Sequence, residues 1–297
     1  VNGIKDNINL YLSRILSGFY YFVYNKKRYK LVYPDISIKY EAELYAQEQY
    51  DLNKFNDWII EEDILHYLVM SGLWEYAHED LLKKLEKQIE DHKVDLFQSF
   101  LNPNKLKAIR RNLENTRKRY EMMFSVRHSF DHLTALGYSN IIKNQYIISY
   151  SIYDDKNNLI FDINQQEIDL NLLNNIIEFL SNNTIDIKTF RKIARSDSWR
   201  NYWSANKDKL FDKPTVNWTD EQRTLVILTK MYDSAYESVE CPPEHIFDDD
   251  DMFDGWMISQ RRENDKIRSK NRSEKMFGSK GLSKAQEVFL VANSQEE

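Results

Sequence analysis

His128 and His132 lie four residues apart with Asp131 between them, a spacing that on one helix would present both imidazoles to a single metal ion. No further Cys or His lies nearby in sequence to serve as a third ligand, so only half of the metal signature is met. Glu75-x-x-His78 has the form that points two ligands inward in di-iron helical bundles, and Asp63-x-x-His66 approximates it, but such a site also requires two further inward carboxylates. Cys241 and His245 are close enough to pair as thiol and imidazole, yet Pro242-Pro243 intervenes and no orienting third group is identifiable. A cysteine at a helix end is the simpler reading.

Charge supplies the remaining candidates. The run Asp248 to Asp254 could hold a hard cation, but the EF-hand pattern fails: with Gly255 as its sixth position, the third is Met252 and the twelfth Arg261. A capped, solvated helix start satisfies the same charges without an ion. Lys105, Lys107, Arg110, Arg111, Arg117, Lys118 and Arg119 oppose Glu114 alone on a segment whose other side is apolar. That face could grip phosphates, or dock an acidic surface such as Asp248 to Asp254 of another copy, or simply be solvated. Met252, Phe253 and Trp256 are large apolar residues inside a strongly charged arm, and form a compact anchor either for the body of the protein or for a partner's pocket. Only seven glycines occur, at positions 3, 18, 72, 137, 255, 278 and 281, too scattered for a phosphate-cradling loop. No catalytic, cofactor-binding or metal-ligating residue is assigned, and no cofactor is expected.

These residues must be positioned by a chain of 297 residues that is 42% hydrophobic, 13% aromatic and 30% charged, the composition of a folded globular protein. A net charge of −6 is too modest to mark a dedicated nucleic-acid or membrane-surface protein. The single cysteine excludes an intramolecular disulfide framework and fits a reducing compartment. Apolar stretches such as Phe19 to Tyr24 and Leu225 to Leu228 are far too short to span a bilayer, and no signal peptide is visible. An apolar segment just before Glu297 leaves open that the chain continues beyond it.

Periodicity predicts mainly α structure with two small β-hairpins. A helix over 4–16 ends at Gly18; Phe19 to Tyr24 and Arg28 to Tyr33 flank Asn25-Lys26-Lys27 as a first hairpin; Tyr146 to Tyr153 and Leu159 to Phe161 flank Asp154 to Asn158 as a second. The two hairpins could share one sheet; aligned identities after them are too few for a repeat. Trp74, Ala77, Leu81, Leu85, Ile89, Leu96 and Phe100 mark a long helix broken at Pro103, and Leu106, Ile109, Leu113 and Tyr120 mark the next, the pair plausible as an antiparallel helix hairpin. Leu173, Ile176, Ile177 and Leu180 define another helix, Phe190 with Ile193 a further one, and Trp199, Tyr202 and Trp203 a cluster. Thr219 and Gln222 form a capping box ahead of a helix reaching Val239. Acids from Asp248 and bases from Arg261 to Lys275 predict a charged helical arm, followed by a joint at 278–281 and an apolar segment at 288–291. The expected organisation is a hairpin plus long-helix domain over 1–140, a hairpin plus helical domain over 141–245, and the charged arm over 246–297.

The block from Cys241 to Arg262, Cys-Pro-Pro-Glu-His-Ile-Phe-Asp-Asp-Asp-Asp-Met-Phe-Asp-Gly-Trp-Met-Ile-Ser-Gln-Arg-Arg, resembles segments of tailed-bacteriophage proteins of virion or assembly type, and abundant Asn, Ile, Lys and Tyr accompany it. The resemblance implies a non-enzymatic structural or assembly protein in the host cytoplasm or the assembled virion. Its partners would be other protein subunits, copies of itself among them, without membrane insertion. The alternative is a nucleic-acid-binding accessory protein using residues 105–119.

Overall fold

A computed structural model describes residues 7–56, 58–161, 169–206 and 209–277, with side chains to 272. The expected joint at 278–281, the apolar segment at 288–291 and the start of the first helix at Ile4 lie outside the described residues. Helices are α1 (Ile8–Ser17), α2 (Ile36–Phe55), α3 (Ile64–Met70), α4 (Tyr76–Gln98), α5 (Pro103–Arg127), α6 (Ala135–Ser149), α7 (Leu170–Ser181), α8 (Ile187–Arg195), α9 (Asp197–Ala205), α10 (Asp220–Tyr236), α11 (Glu244–Phe247) and α12 (Asp250–Phe277). One antiparallel sheet, in the order β1 (Phe19–Tyr24), β2 (Lys27–Val32), β3 (Ile152–Tyr153), completes a mainly α fold with a small β component. Among the described residues no helix is long and apolar enough to cross a membrane.

The chain divides into two compact units, Val1–Glu79 with Met122–Cys241, and Asp80–Glu121 with Pro242–Glu297. These are not the three consecutive segments expected, because β3 joins β2 across position 140 and α12 gathers with parts of α4 and α5.

In the first unit, Asn7 caps α1 by accepting from the Leu10 amide (3.2 Å), and Gly18 ends it in the left-handed region at φ 68°, donating to the Arg14 and Ile15 carbonyls. That conformation costs glycine nothing and sends the chain straight into β1. The β1–β2 turn holds Asn25 and Lys26 at φ 48° and 62°, the doubly left-handed geometry whose twist matches a hairpin. One face of the sheet buries Phe22, Tyr29, Leu31 and Ile152 with Leu173, Ile176 and Leu180 of α7. The expected second hairpin is largely absent: Tyr146 to Ser149 close α6, and the return through Leu159 makes a single bridge to Tyr153. The β-branched run favours a strand locally, but α2 packs along α6 with Ala42, Ala46, Ala135 and Ser139 buried, and that burial holds the helix.

The capping box of α10 forms in both directions between Thr219 and Gln222, and the Gln222 amide also donates to the Ile15 carbonyl (2.9 Å), tying α10 to α1. The helix stops at Tyr236, short of the fully exposed Val239. The aromatic cluster of α9 lies in the core, with Trp199 fully buried and its indole N–H donating to Thr229 Oγ1 (2.7 Å).

In the second unit, Pro103 opens α5, where its missing N–H loses nothing, and Asn102 Oδ1 accepts from the Lys105 amide (3.1 Å). The backbones of α12 and α4 come together at Gly255, where an added Cβ would stand 1.9 Å from the Lys93 carbonyl oxygen. Gly255→Ala is therefore expected to lower stability, because displacing rigid backbone outweighs the roughly 1 kcal/mol that alanine gains in helix propensity. Urea unfolding should show a net loss of about 1–2 kcal/mol, with faster hydrogen exchange along α12; unchanged or higher stability would contradict the close approach.

Candidate functional site

In the second unit the acidic run and the basic face meet within one chain. Asp249 caps α12 by accepting from the Asp251 and Met252 amides (3.2 and 3.0 Å) and also pairs with Arg110. Arg117 grips Asp251 through both terminal nitrogens, Lys93 holds Asp254 at 2.6 Å, and Arg261 and Arg262 reach Glu90 at 2.7 and 3.1 Å. Burial pushes the Asp251 carboxyl up, but the Arg117 guanidinium, with Lys93 and Arg110 beyond it, outweighs that and holds it below the usual aspartate range. Lys118 pairs along its own helix with Glu114 (2.7 Å). An acidic surface of the kind considered on another copy is thus supplied in cis to Arg110 and Arg117, and with Lys118 paired to Glu114 this leaves Lys105, Lys107, Arg111 and Arg119 exposed.

Met252, Phe253 and Trp256 are 6%, 0% and 4% exposed. The Phe253 ring packs at a tilt against Phe247 (5.2 Å) and Trp256 (5.8 Å), so the anchor belongs to the unit's own core and is not presented to a partner. The aromatic content was legible in sequence; which surface it filled was not.

The histidine candidates separate. α5 ends at Arg127, so His128 and His132 do not share a helix face: His132 is exposed on a single 3-10 turn, while His128 Nδ1 lies 2.6 Å from Asp131 Oδ2. Among the described residues no group of three or more His, Cys, Asp or Glu is placed to hold a metal ion. His128 and Asp131 instead border a 290 Å³ cavity with Glu61 and Arg127, two residues that no sequence motif marked. Glu61 accepts from the Tyr50 hydroxyl (3.0 Å) and Arg127 donates to Glu79 (2.8 Å). His78 accepts from the Glu75 amide (3.3 Å) and lies edge-on to Trp74, so Glu75-x-x-His78 serves a helix start. The His66 ring meets Tyr67, the His245 ring meets Phe100 (5.3 Å), and Cys241 is exposed.

A buried ionisable cluster in the first unit was not visible in sequence, because its paired charges lie 207 residues apart. Arg14 of α1 donates through Nε to Glu221 Oε2 (3.2 Å) and through Nη2 to Oε1, and its guanidinium lies 3.6 Å over the Tyr20 ring. Both charged side chains are only 14% exposed. Burial raises the Tyr20 phenol to about 12, against the opposing charge of Arg14, and raises the Tyr33 phenol further. Burial also lifts the Glu221 carboxyl despite Arg14, so desolvation outweighs the pairing. The cluster borders a 410 Å³ cavity walled by Leu31, Ile147, Ile148, Ile177, Leu180 and Phe190. A second cavity of 590 Å³ shares Arg14 and Tyr20 and runs along β1. Chemically this is an apolar cleft with a neutralised ion pair and protonated phenols at its polar end, suited to holding a group by contact and hydrogen bonding.

Two outcomes test these arrangements. Glu221→Gln strands a buried guanidinium and should cost about 3 kcal/mol in urea unfolding, whereas Arg14→Leu with Glu221→Leu should recover most of that loss; additive losses would contradict the pair. Asp251, with its carboxyl held low, stabilises above the unfolded value near about 4 and loses that contribution as pH falls through the folded value. The stability difference between wild type and Asp251→Asn should hold steady above about pH 5 and shrink toward zero in acid; a pH-independent difference would contradict the pairing.

No protein family, curated protein or solved structure matches this chain.

Proposed function

We propose that the protein is a non-enzymatic structural or assembly component that works through contacts with other proteins, in keeping with the resemblance of residues 241–262 to tailed-bacteriophage virion and assembly proteins. The observation that carries this reading is the outward face of α2. Ala42 and Ala46 are buried on one side of the helix, while Ile36, Tyr40 and Leu44, successive at i, i+4 and i+8, form an apolar patch on the N-terminal half of the opposite side at exposures of 50%, 62% and 48%. A helix at the surface of a finished monomer turns polar residues outward; large apolar side chains aligned there gain roughly 25 cal/mol for each Å² that a partner covers.

A second reading, nucleic-acid binding by residues 105–119, draws on the exposure of Lys105, Lys107, Arg111 and Arg119. With Arg110, Arg117 and Lys118 paired internally, the log–log salt dependence of such binding would be no steeper than about −4.

Tagged protein recovered from its native source, with Tyr40→Glu/Leu44→Glu as comparison, tests the first reading by quantitative mass spectrometry. Defined protein partners should accompany the wild type and fall by about tenfold or more with the variant, circular dichroism being unchanged. Partners indifferent to the substitutions, salt-sensitive nucleic acid in their place, or robust turnover by the purified protein would overturn it.

A further inference from the structure

Among the described residues β1 is an edge strand with no strand paired on its outer side, and the hydrogen-bond phase of the sheet identifies which of its groups are available. The Val32 amide donates to the Ser151 carbonyl (2.8 Å), so Val32, Lys30 and Arg28 turn their backbone polar groups toward β3. The alternate residues Leu31, Tyr29 and Lys27 therefore bond to Tyr20, Phe22 and Tyr24, their partners in register. Phe19, Tyr21 and Val23 are left pointing outward. The Phe19 carbonyl accepts from the Ser17 hydroxyl (2.9 Å), so among the described residues the N–H and C=O of Tyr21 and Val23 remain as an open ladder.

Edge strands in folded proteins are usually blunted by lysine, proline, a bulge or a covering element. β1 reads Phe-Tyr-Tyr-Phe-Val-Tyr, without charge or proline, and Tyr21 and Val23 are 51% and 62% exposed. It also borders the 590 Å³ cavity, whose lining takes every residue from Phe19 to Val23, Leu10, Tyr11 and Arg14 of α1, and Phe179 of α7. A strand edge facing a helix across an apolar groove is the arrangement that captures extended peptides by strand addition.

We propose that an extended segment of a partner protein, alternating apolar and acidic residues, adds to β1 as a further strand between it and α1. The alternation follows from the two faces of the sheet. On the inner face the added side chains enter the groove beside Tyr20, Phe22 and Phe179, which suits apolar residues. On the outer face Arg28 lies 4.0 Å over the Tyr21 ring and Lys30 lies 4.5 Å from the Phe19 ring, so two cations already stand above β1 and select acidic neighbours. A second copy pairing edge to edge would bring its own α1 against the same groove, whereas a single extended chain would not. The groove shares no residue with the exposed stripe of α2, so loss of either surface leaves the other to be judged separately.

Full-length protein titrated against a fluorescein-labelled nonapeptide alternating valine and glutamate tests this by fluorescence anisotropy. Saturable binding is expected, weakened about tenfold or more by Val23→Pro, which removes an outward N–H while leaving the β1–β2 bonds in place. Arg28→Glu/Lys30→Glu, or a valine–lysine peptide, should weaken it comparably. Should the proline variant fail to fold, methylating every second amide of the peptide on its bonding edge removes the same ladder with the protein unchanged, and must also abolish binding. The proposal is overturned by absent binding, by equal affinity for the methylated or the lysine peptide, or by sedimentation showing a dimer that Val23→Pro dissolves, which would assign the edge to a second copy.

Discussion

A guanidinium taken out of water must find an anion, and for Arg14 in the first unit that anion is Glu221. Arg14 and Glu221, with the Gln222 amide on the Ile15 carbonyl, fasten α1 to the N-terminal turn of α10. Because Gly18 passes directly from α1 into β1, the same fastening sets where the strand begins and how its edge faces the helix. The two cavities of this region share Arg14 and Tyr20, so the shape of each follows from one ion pair and the ring beneath it. The Glu221 carboxyl is lifted by burial even so, which marks the pair as costly in itself and its value as lying in the arrangement it fixes.

The second unit solves the charge problem differently. Its helix α12 carries acids at the start and bases beyond, and Asp251, Asp254, Arg261 and Arg262 meet complements on α4 or α5 at partly exposed positions, as does the capping Asp249. Individually such pairs contribute little, but together they select one register for α12, while Met252, Phe253 and Trp256 supply the buried area and Gly255 the close approach. A pattern that looks like a surface addressed to other molecules is here spent in part on the protein's own packing, through Arg110 and Arg117.

How much of this was legible in the sequence depended on the range of the determining interaction. The Thr219–Gln222 capping box, the left-handed Gly18, the first hairpin and the acidic start of α12 are set by neighbours within a few residues, and each reads from the chain directly. The helix α6 was hidden because Tyr146 to Ser149 favour a strand locally and only the small-residue face of α2 decides otherwise. His128 and His132 had helical spacing, but α5 ends one residue too early to use it. The Arg14–Glu221 cluster, the cavity at Glu61 and the open edge of β1 all join segments remote in sequence, and no local pattern encodes them.

The junction at Gly18 has a further consequence for how the molecule can vary. No loop separates Ser17 from Phe19, so one residue gained or lost there would shift β1 by half its repeat, turning Phe22 outward and Tyr21 into the core. Length at this point is therefore fixed, whereas the turn from Asp154 to Asn158, exposed and closed by hydrogen bonds around Asp154, can absorb additions. Lineages of this protein would be expected to differ in size at the second place and never at the first.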